Sequence, residues 1–264
     1  MNLIHLSDTH FGTEDIQVKT ALQRCLQSLD TDFLIVSGDI TQRARSEQFA
    51  AAKIFFASLP ARQVLVIPGN HDIPLINLAA RLFFPFRTYK KYLATDLQPT
   101  YRSDALWVMC LNTVQRSKHV DGNVSSKQLA WVTQQLQAAP NTALKVVVAH
   151  HPFAAQLTTD NKNIIGGAVK AIEQWGKAGL DLVLGGHIHF PFTAPLSRYM
   201  VGLQGNPWVV QAGTAISTRV RNSIPNSFMR LQFDTGRDGL CIQRWDYDHE
   251  RDCFSLCTTV KPWG

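Results

Sequence analysis

The stretch "QVLVIPGNHD", residues 63 to 72, runs a buried strand directly into a chemically dense loop. Val64 to Ile67 form an unbroken apolar run. Such a run predicts a strand covered on both faces, not one alternating between core and water. Pro68 and Gly69 end it, and Asn70, His71 and Asp72 follow at once. Four other apolar runs end the same way. "LIHLSDTH" ends on Asp8 and His10, and "DFLIVSGD" on Gly38 and Asp39. "KVVVAHHP" ends on His150, His151 and Pro152, and "LDLVLGGHIH" on His187 and His189. In extended backbone, residues i and i+2 point the same way, so Asp8 and His10 can reach one shared object.

Helical patterns separate these runs. Glu14 to Leu29 carries an apolar stripe, and "SEQFAAAKIFFASL" reads as a helix with Ser46 as its N-cap. "SSKQLAWVTQQLQAA" opens on a capping box of Ser125 and Gln128, and "GGAVKAIEQWGKAG" is ended by Gly179. "ALWVMCLNT" adds a further strand. Alternating strands and helices predict parallel α/β construction, in which functional residues gather at the carboxyl ends of the strands. From about residue 207 the pattern changes to consecutive strands, read as a C-terminal β meander. These strands can complete a sheet or pair across a two-fold axis, and nothing in their sequence fixes an oligomeric state. With no linker or repeat, residues 1–264 read as one domain.

Composition excludes disorder: 45% of the 264 residues are hydrophobic and 17% charged. The net charge of +6 favours anionic partners. Five scattered cysteines do not form a disulfide framework; Cys253 and Cys257 could pair only if the chain turned between them. Without a signal peptide or a membrane-length apolar run, the chain is expected to be cytoplasmic. The tract 81–92 mixes Arg81, Arg87, Lys90 and Lys91 with aromatics and has no acid. It could track a nucleic-acid backbone, or bury Leu78, Leu82, Phe83 and Phe86 on one helix face.

The converging side chains supply oxygen and nitrogen ligands and no thiolate, a set suited to Mn, Fe, Co, Ni or Zn. They are too many for one tetrahedral ion and suit two ions that clamp an in-line displacement.

The blocks DxH, GD, GNHD, HxP and GHxH, in this order from residue 8 to 189, resemble the calcineurin-like metallophosphoesterase superfamily. The resemblance implies a two-sheet α/β sandwich flanked by helices, with two metal ions such as Mn, Fe, Zn or Co. It implies that Asp8, His10 and His189 bind one ion, that Asn70, His150 and His187 bind the other, and that Asp39 bridges them. Pro152 sets the register that makes His150, not His151, the ligand; His151 then stands behind it. His71 matches the family's histidine that approaches substrate and protonates the leaving oxygen. Asp72 would orient a nearby histidine or simply bond its own loop. Arg43 falls where protein phosphatases of this superfamily keep an arginine, although "GDITQRA" otherwise departs from their pattern; it would contact a phosphate oxygen of the substrate or stand as a plain surface arginine. No tyrosine stands where purple acid phosphatases need one in "SGDITQ".

The wording of the blocks most resembles bacterial class III cyclic nucleotide phosphodiesterases. It implies attack on a small phosphodiester, a 3′,5′-cyclic nucleotide above all, by a hydroxide formed between the ions. Nucleases and lipid-precursor pyrophosphatases share the blocks and are the alternative readings; for the latter, "FPFTAPL" beside His189 offers an apolar rim.

Overall fold

The computed structural model describes residues 1–221, 223–234, 236–237 and 239–263. The chain runs β1 (Asn2–Leu6), α1 (Ile16–Gln27), β2 (Thr31–Val36), α2 (Ser46–Ala57), β3 (Ala61–Val66), α3 (Leu78–Phe83) and α4 (Arg87–Tyr92). It continues through β4 (Thr100–Arg102), β5 (Leu106–Leu111), α5 (Ser126–Ala138), β6 (Leu144–Ala149), α6 (Ala168–Lys177) and β7 (Leu182–Gly185). Strands β8 (Phe192–Pro195), β9 (Trp208–Gln211), β10 (Ser227–Gln232), β11 (Cys241–Asp248) and β12 (Cys253–Val260) complete it. Two six-stranded mixed sheets result, ordered β12-β11-β10-β1-β2-β3 and β4-β5-β6-β7-β9-β8.

The apolar runs are explained by burial on both faces. In β2, Phe33 and Ile35 pack into the core shared by the two sheets, while Leu34 and Val36 pack outward beneath α1 and α2. In β6, Val146 and Val148 enter the shared core, and Val147 and Ala149 lie beneath α5 and α6. This is the expected two-sheet sandwich flanked by helices. The Ser125 hydroxyl accepts from the Gln128 amide at 3.2 Å, and the Gln128 side chain accepts from the Ser125 amide at 2.9 Å. The predicted capping box is therefore present.

Several expectations need correction. Ser46 is the first helical residue of α2, preceded by Arg45 in extended backbone, and it is the Gln48 side chain that accepts from the amides of Arg43 and Arg45 there. Strand β9 does not begin a meander: it pairs with β7 and β8 in the second sheet. Only β10 to β12 run as an antiparallel meander, and β10 joins the first sheet by pairing with β1. Residues 192–195, which could equally be a rim or a core contact, form the antiparallel edge strand β8, with Phe192 and Ala194 in the core. Cys253 and Cys257 lie on the single strand β12 and are free. The apolar side chains of α3 do not face the core. Leu78 is 66% exposed and Phe83 72%, whereas Arg81 is buried. Tyr89 of α4 is the tract's core residue, its hydroxyl donating to the Val66 carbonyl at 2.9 Å.

Candidate metal centre

Strands β1, β2 and β3 of one sheet and β6 and β7 of the other deliver their carboxyl ends to one edge of the sandwich. Asp8 and His10 follow β1, Asp39 follows β2, Asn70 and His71 follow β3, His150 follows β6, and His187 and His189 follow β7. Turning sharply enough to converge strains the backbone. Seven non-glycine residues have positive φ among those described, and five are Asp8, His10, Asp39, His187 and His189. Conformations of this kind persist only where the surrounding structure enforces them, and they cluster at functional sites.

Two groups form. In one, Asp8, His10 and His189 present ligand atoms within 4.8 Å of one another; in the second, Asp39, His150 and His187 do the same. The Asn70 Oδ1 joins the second group, 3.2 Å from His150 Nε2 and 3.0 Å from His187 Nδ1. The Asp39 carboxylate lies between the groups, with Oδ1 3.3 Å from His150 Nε2 and Oδ2 3.8 Å from His10 Nε2. All seven expected ligand residues are thus brought together.

Hydrogen bonds on the far side of the rings set which nitrogen faces inward. His150 Nδ1 donates to the Ser37 carbonyl at 2.9 Å, and His189 Nδ1 to the Arg219 carbonyl at 2.6 Å. Each Nε2 therefore turns a lone pair inward. His150 Nε2 meets Asp39 Oδ1, Asn70 Oδ1 and His187 Nδ1, the last at 3.3 Å. His189 Nε2 meets Asp8 Oδ1 at 3.1 Å and His10 Nε2 at 3.2 Å. Asp8 Oδ1 is buried and has no hydrogen-bond donor. Acceptors that converge in a dry site need a cation, either a proton or a metal ion.

The electrostatics of the buried rings point the same way. Burial disfavours charge on His150, yet the Asp39 carboxylate more than offsets it and raises the ring to about 9. Burial likewise opposes charge on His189, and Asp8 reverses it, so that ring too is raised. Burial holds His10 down to about 3 and His187 down to about 4, leaving both neutral and able to donate a lone pair. The two carboxylates and the Asn70 amide oxygen beside these rings leave negative charge that divalent ions would balance. The donor set therefore fits two hard or borderline cations.

Gly38 combines a close approach with a left-handed backbone. Its φ is +100°, and a Cβ there would lie 2.7 Å from His150 Nδ1 and 2.8 Å from the Gly69 amide nitrogen. Only glycine allows the β2 turn to pass beneath both neighbouring loops.

The remaining expected residues occupy different places. His71 projects from the loop beside Asp39; its amide donates to Asp39 Oδ1 at 2.8 Å and its Nδ1 to the Gln42 carbonyl at 3.0 Å. Its Nε2 thus faces the cleft. Asp72 orients no histidine. It is buried and accepts from the amides of Gly69, Ile40 and Thr41 at 2.9, 3.0 and 2.8 Å, tying the β2 and β3 loops together. His151 lies behind the rings of His150 and His187. It accepts from the Thr113 hydroxyl at 2.8 Å and donates to the Val120 carbonyl at 2.9 Å. Arg43 is exposed and does not line the cleft.

A cleft of about 400 Å³ opens over the second group, and Lys162, Arg219 and Arg221 are its cations. Arg221 is neutralised by Asp160 at 2.6 Å. Among the described residues, no carboxylate pairs with Arg219. Its Nη1 donates to Gln42 Oε1 at 3.0 Å and sits 3.3 Å from His71 Nε2. Arg219 is a cleft residue that motif reading did not place at the site. Its one sequence signal was its place in the acid-free stretch from Leu182 to Phe233.

A family model described as calcineurin-like phosphoesterase matches residues 1–191. A probable glycerophosphodiester phosphodiesterase, GpdQ, of Arcobacter nitrofigilis is 24% identical over 223 residues, 78% of each chain. The 3′,5′-cyclic adenosine monophosphate phosphodiesterase CpdA of Vibrio vulnificus is 25% identical over 164 residues, 58% of this chain and 56% of that protein. Among solved structures, the purple acid phosphatase PPD1 of yellow lupin superposes with a TM-score of 0.64 at 10% identity, covering 99% of this chain and 53% of that one. The phosphopantetheinyl hydrolase PptH of Mycobacterium tuberculosis gives 0.51 at 14% identity, covering 81% and 89%.

Proposed function

Since the chain belongs to the calcineurin-like phosphoesterase family, we propose that it hydrolyses phosphodiesters, with 3′,5′-cyclic nucleotides or glycerophosphodiesters as the leading substrates. The convergence of two three-residue ligand groups on one edge, with Asp39 between them and Asn70 beside the second, carries this reading. Asp8, His10 and His189 would hold one ion, Asn70, His150 and His187 the second, and Asp39 both. Bound there, the two ions supply Lewis acidity, which neutralises a phosphodiester anion and makes water nucleophilic at neutral pH.

The chain's own groups do the rest. Arg219 reaches into the cleft without a carboxylate partner and is free to pair with a non-bridging phosphate oxygen. His71, fixed by the Gln42 carbonyl at Nδ1, presents Nε2 to the departing oxygen and can give it a proton. The Arg219 guanidinium beside that nitrogen places the anion and the proton donor side by side. Relatives named for two kinds of diester favour diesters over monoesters.

The test is metal-stripped protein restored with Mn and offered bis(p-nitrophenyl) phosphate, p-nitrophenyl phosphate and 3′,5′-cyclic AMP. Faster cleavage of the diester than of the monoester is expected. Asp39→Ala should lose both metal and turnover, and His71→Ala should lose about 10²–10⁴-fold in turnover while retaining metal. Equal metal loss in the two variants would overturn the division of roles. Absence of metal-dependent turnover on all three substrates would overturn the reading itself.

A further inference from the structure

The segment that leaves the metal centre after Asp72 turns its apolar side chains outward. Ile76 is 87% exposed, Leu78 66%, Leu82 50%, Phe83 72% and Phe84 63%. Soluble chains rarely expose so many large apolar groups on one short stretch without a partner. The exposure is built in. Arg81, on the opposite side of α3, is buried, and its guanidinium donates to the carbonyls of Arg116, Pro74 and Lys118 at 2.9, 3.1 and 2.5 Å. Arg116 returns a bond to the Leu82 carbonyl at 3.0 Å. Turning the helix over to bury its leucines would break all four bonds and strand a guanidinium.

Charge identifies the occupant. Arg87, Lys90, Lys91 and Arg116 are exposed on the same segment and its clamp, and no acid occurs from Ile73 to Thr95. The nearby Lys118 is paired with Asp121 at 3.2 Å. A two-fold contact with a second copy would set these cations against themselves. An apolar ridge with a basic flank matches instead an interface of acyl chains beneath anionic headgroups. The clamped loop also reaches the catalytic cleft, because His119 and Val120 line it.

We infer that residues 76–84 dock the protein on an anionic lipid bilayer, with the cleft mouth beside the membrane surface. Docking needs no turnover, so it stands or falls separately from the activity proposed above.

The experiment is flotation of the full chain with phosphatidylcholine vesicles, with and without a minority of phosphatidylglycerol, at low and high salt. Binding to the anionic vesicles, weakened by salt, is expected. The double variant Phe83→Ser with Phe84→Ser, altered only at exposed positions, should bind on the order of tenfold more weakly or worse. Lys90→Gln with Lys91→Gln should bind more weakly and lose much of the preference for phosphatidylglycerol. Failure of the wild type to float with anionic vesicles would overturn the inference, as would unchanged binding by the phenylalanine variant. So would vesicle-free self-association that the phenylalanine variant abolishes, which would assign the ridge to a second copy.

Discussion

Replacing Gly38 by alanine adds one methyl group and no charge, yet it should disable the metal centre. The backbone there has φ of +100°, a conformation costly for any residue with a Cβ, about 1–3 kcal/mol. The new Cβ would lie 2.7 Å from His150 Nδ1, where ordinary contact begins at 3.4 Å, so the imidazole must retreat by 3.4 − 2.7 = 0.7 Å. The Gly69 backbone, at 2.8 and 2.9 Å, blocks the alternative of moving the methyl group aside. Overpacking of this kind costs a further ~1–3 kcal/mol. Together, about 2–6 kcal/mol would be lost from a total that is typically ~5–15 kcal/mol. Displacing a positioned group by most of an ångström also costs up to about 10²-fold in rate. Gly202→Ala is the control: its φ is +77°, and nothing lies within 4 Å of the added Cβ. It should lose about 1–2 kcal/mol from backbone strain alone. Thermal unfolding, bound-metal content and diester turnover should be measured on both variants. Gly202→Ala should keep its metal and turnover with a slightly lower Tm, and Gly38→Ala should lose all three. Wild-type metal content and turnover in folded Gly38→Ala would refute the argument that His150 is held at contact distance.

Three further outcomes follow from the geometry. Arg219→Ala should lower kcat/KM by about 10²–10³-fold with metal content unchanged, because the backbone carbonyl that holds His189 survives, whereas Arg43→Ala should change little. Adding Mn to stripped protein should raise Tm, by an amount equivalent to ~2.7 kcal/mol at a hundredfold excess over Kd, and Asp39→Ala should abolish the rise. Burial raises the carboxyl of Asp181, which accepts from the Lys145 amide at 2.9 Å; the folded chain then binds the proton more tightly than the unfolded chain, so this residue costs stability as pH rises above the ordinary carboxylate range. Asp181→Asn should therefore flatten the fall in Tm over that window, measured against the wild type.

The central parallel strands were legible because they are buried on both faces and end on ligand-type residues; β3 was legible by its ending alone, since as an edge strand it leaves Val64 exposed, against the expectation of cover on both faces. Runs such as "DFLIV" and "KVVVA" admit few alternatives, and the residues beyond them share one edge by topology alone. The short edge strands of the second sheet were not legible. Thr100–Arg102 and Phe192–Pro195 are short and paired on one side only, so neither length nor periodicity marks them. Strand β9 resembles its meander neighbours in composition, and only pairing with β7 and β8 assigns it to the second sheet. The α3 error has a different cause. Periodicity finds an apolar face but not its direction, and here three carbonyl acceptors fix Arg81 inward. Arg219 was not tied to the site because it reaches the cleft from a loop far along the chain, outside any short motif.

The strained backbone at Asp8, His10, Asp39, His187 and His189 has a consequence for anyone seeking hardier versions of this protein. In the metal-free chain, glycine at any of these positions would relax the turn and remove a buried polar group together, both changes that favour survival on heating. A library sorted for resistance to heat without added metal would therefore enrich variants that have surrendered a ligand. Selection for durability has to be coupled to metal retention from the first round, or it will breed the centre out.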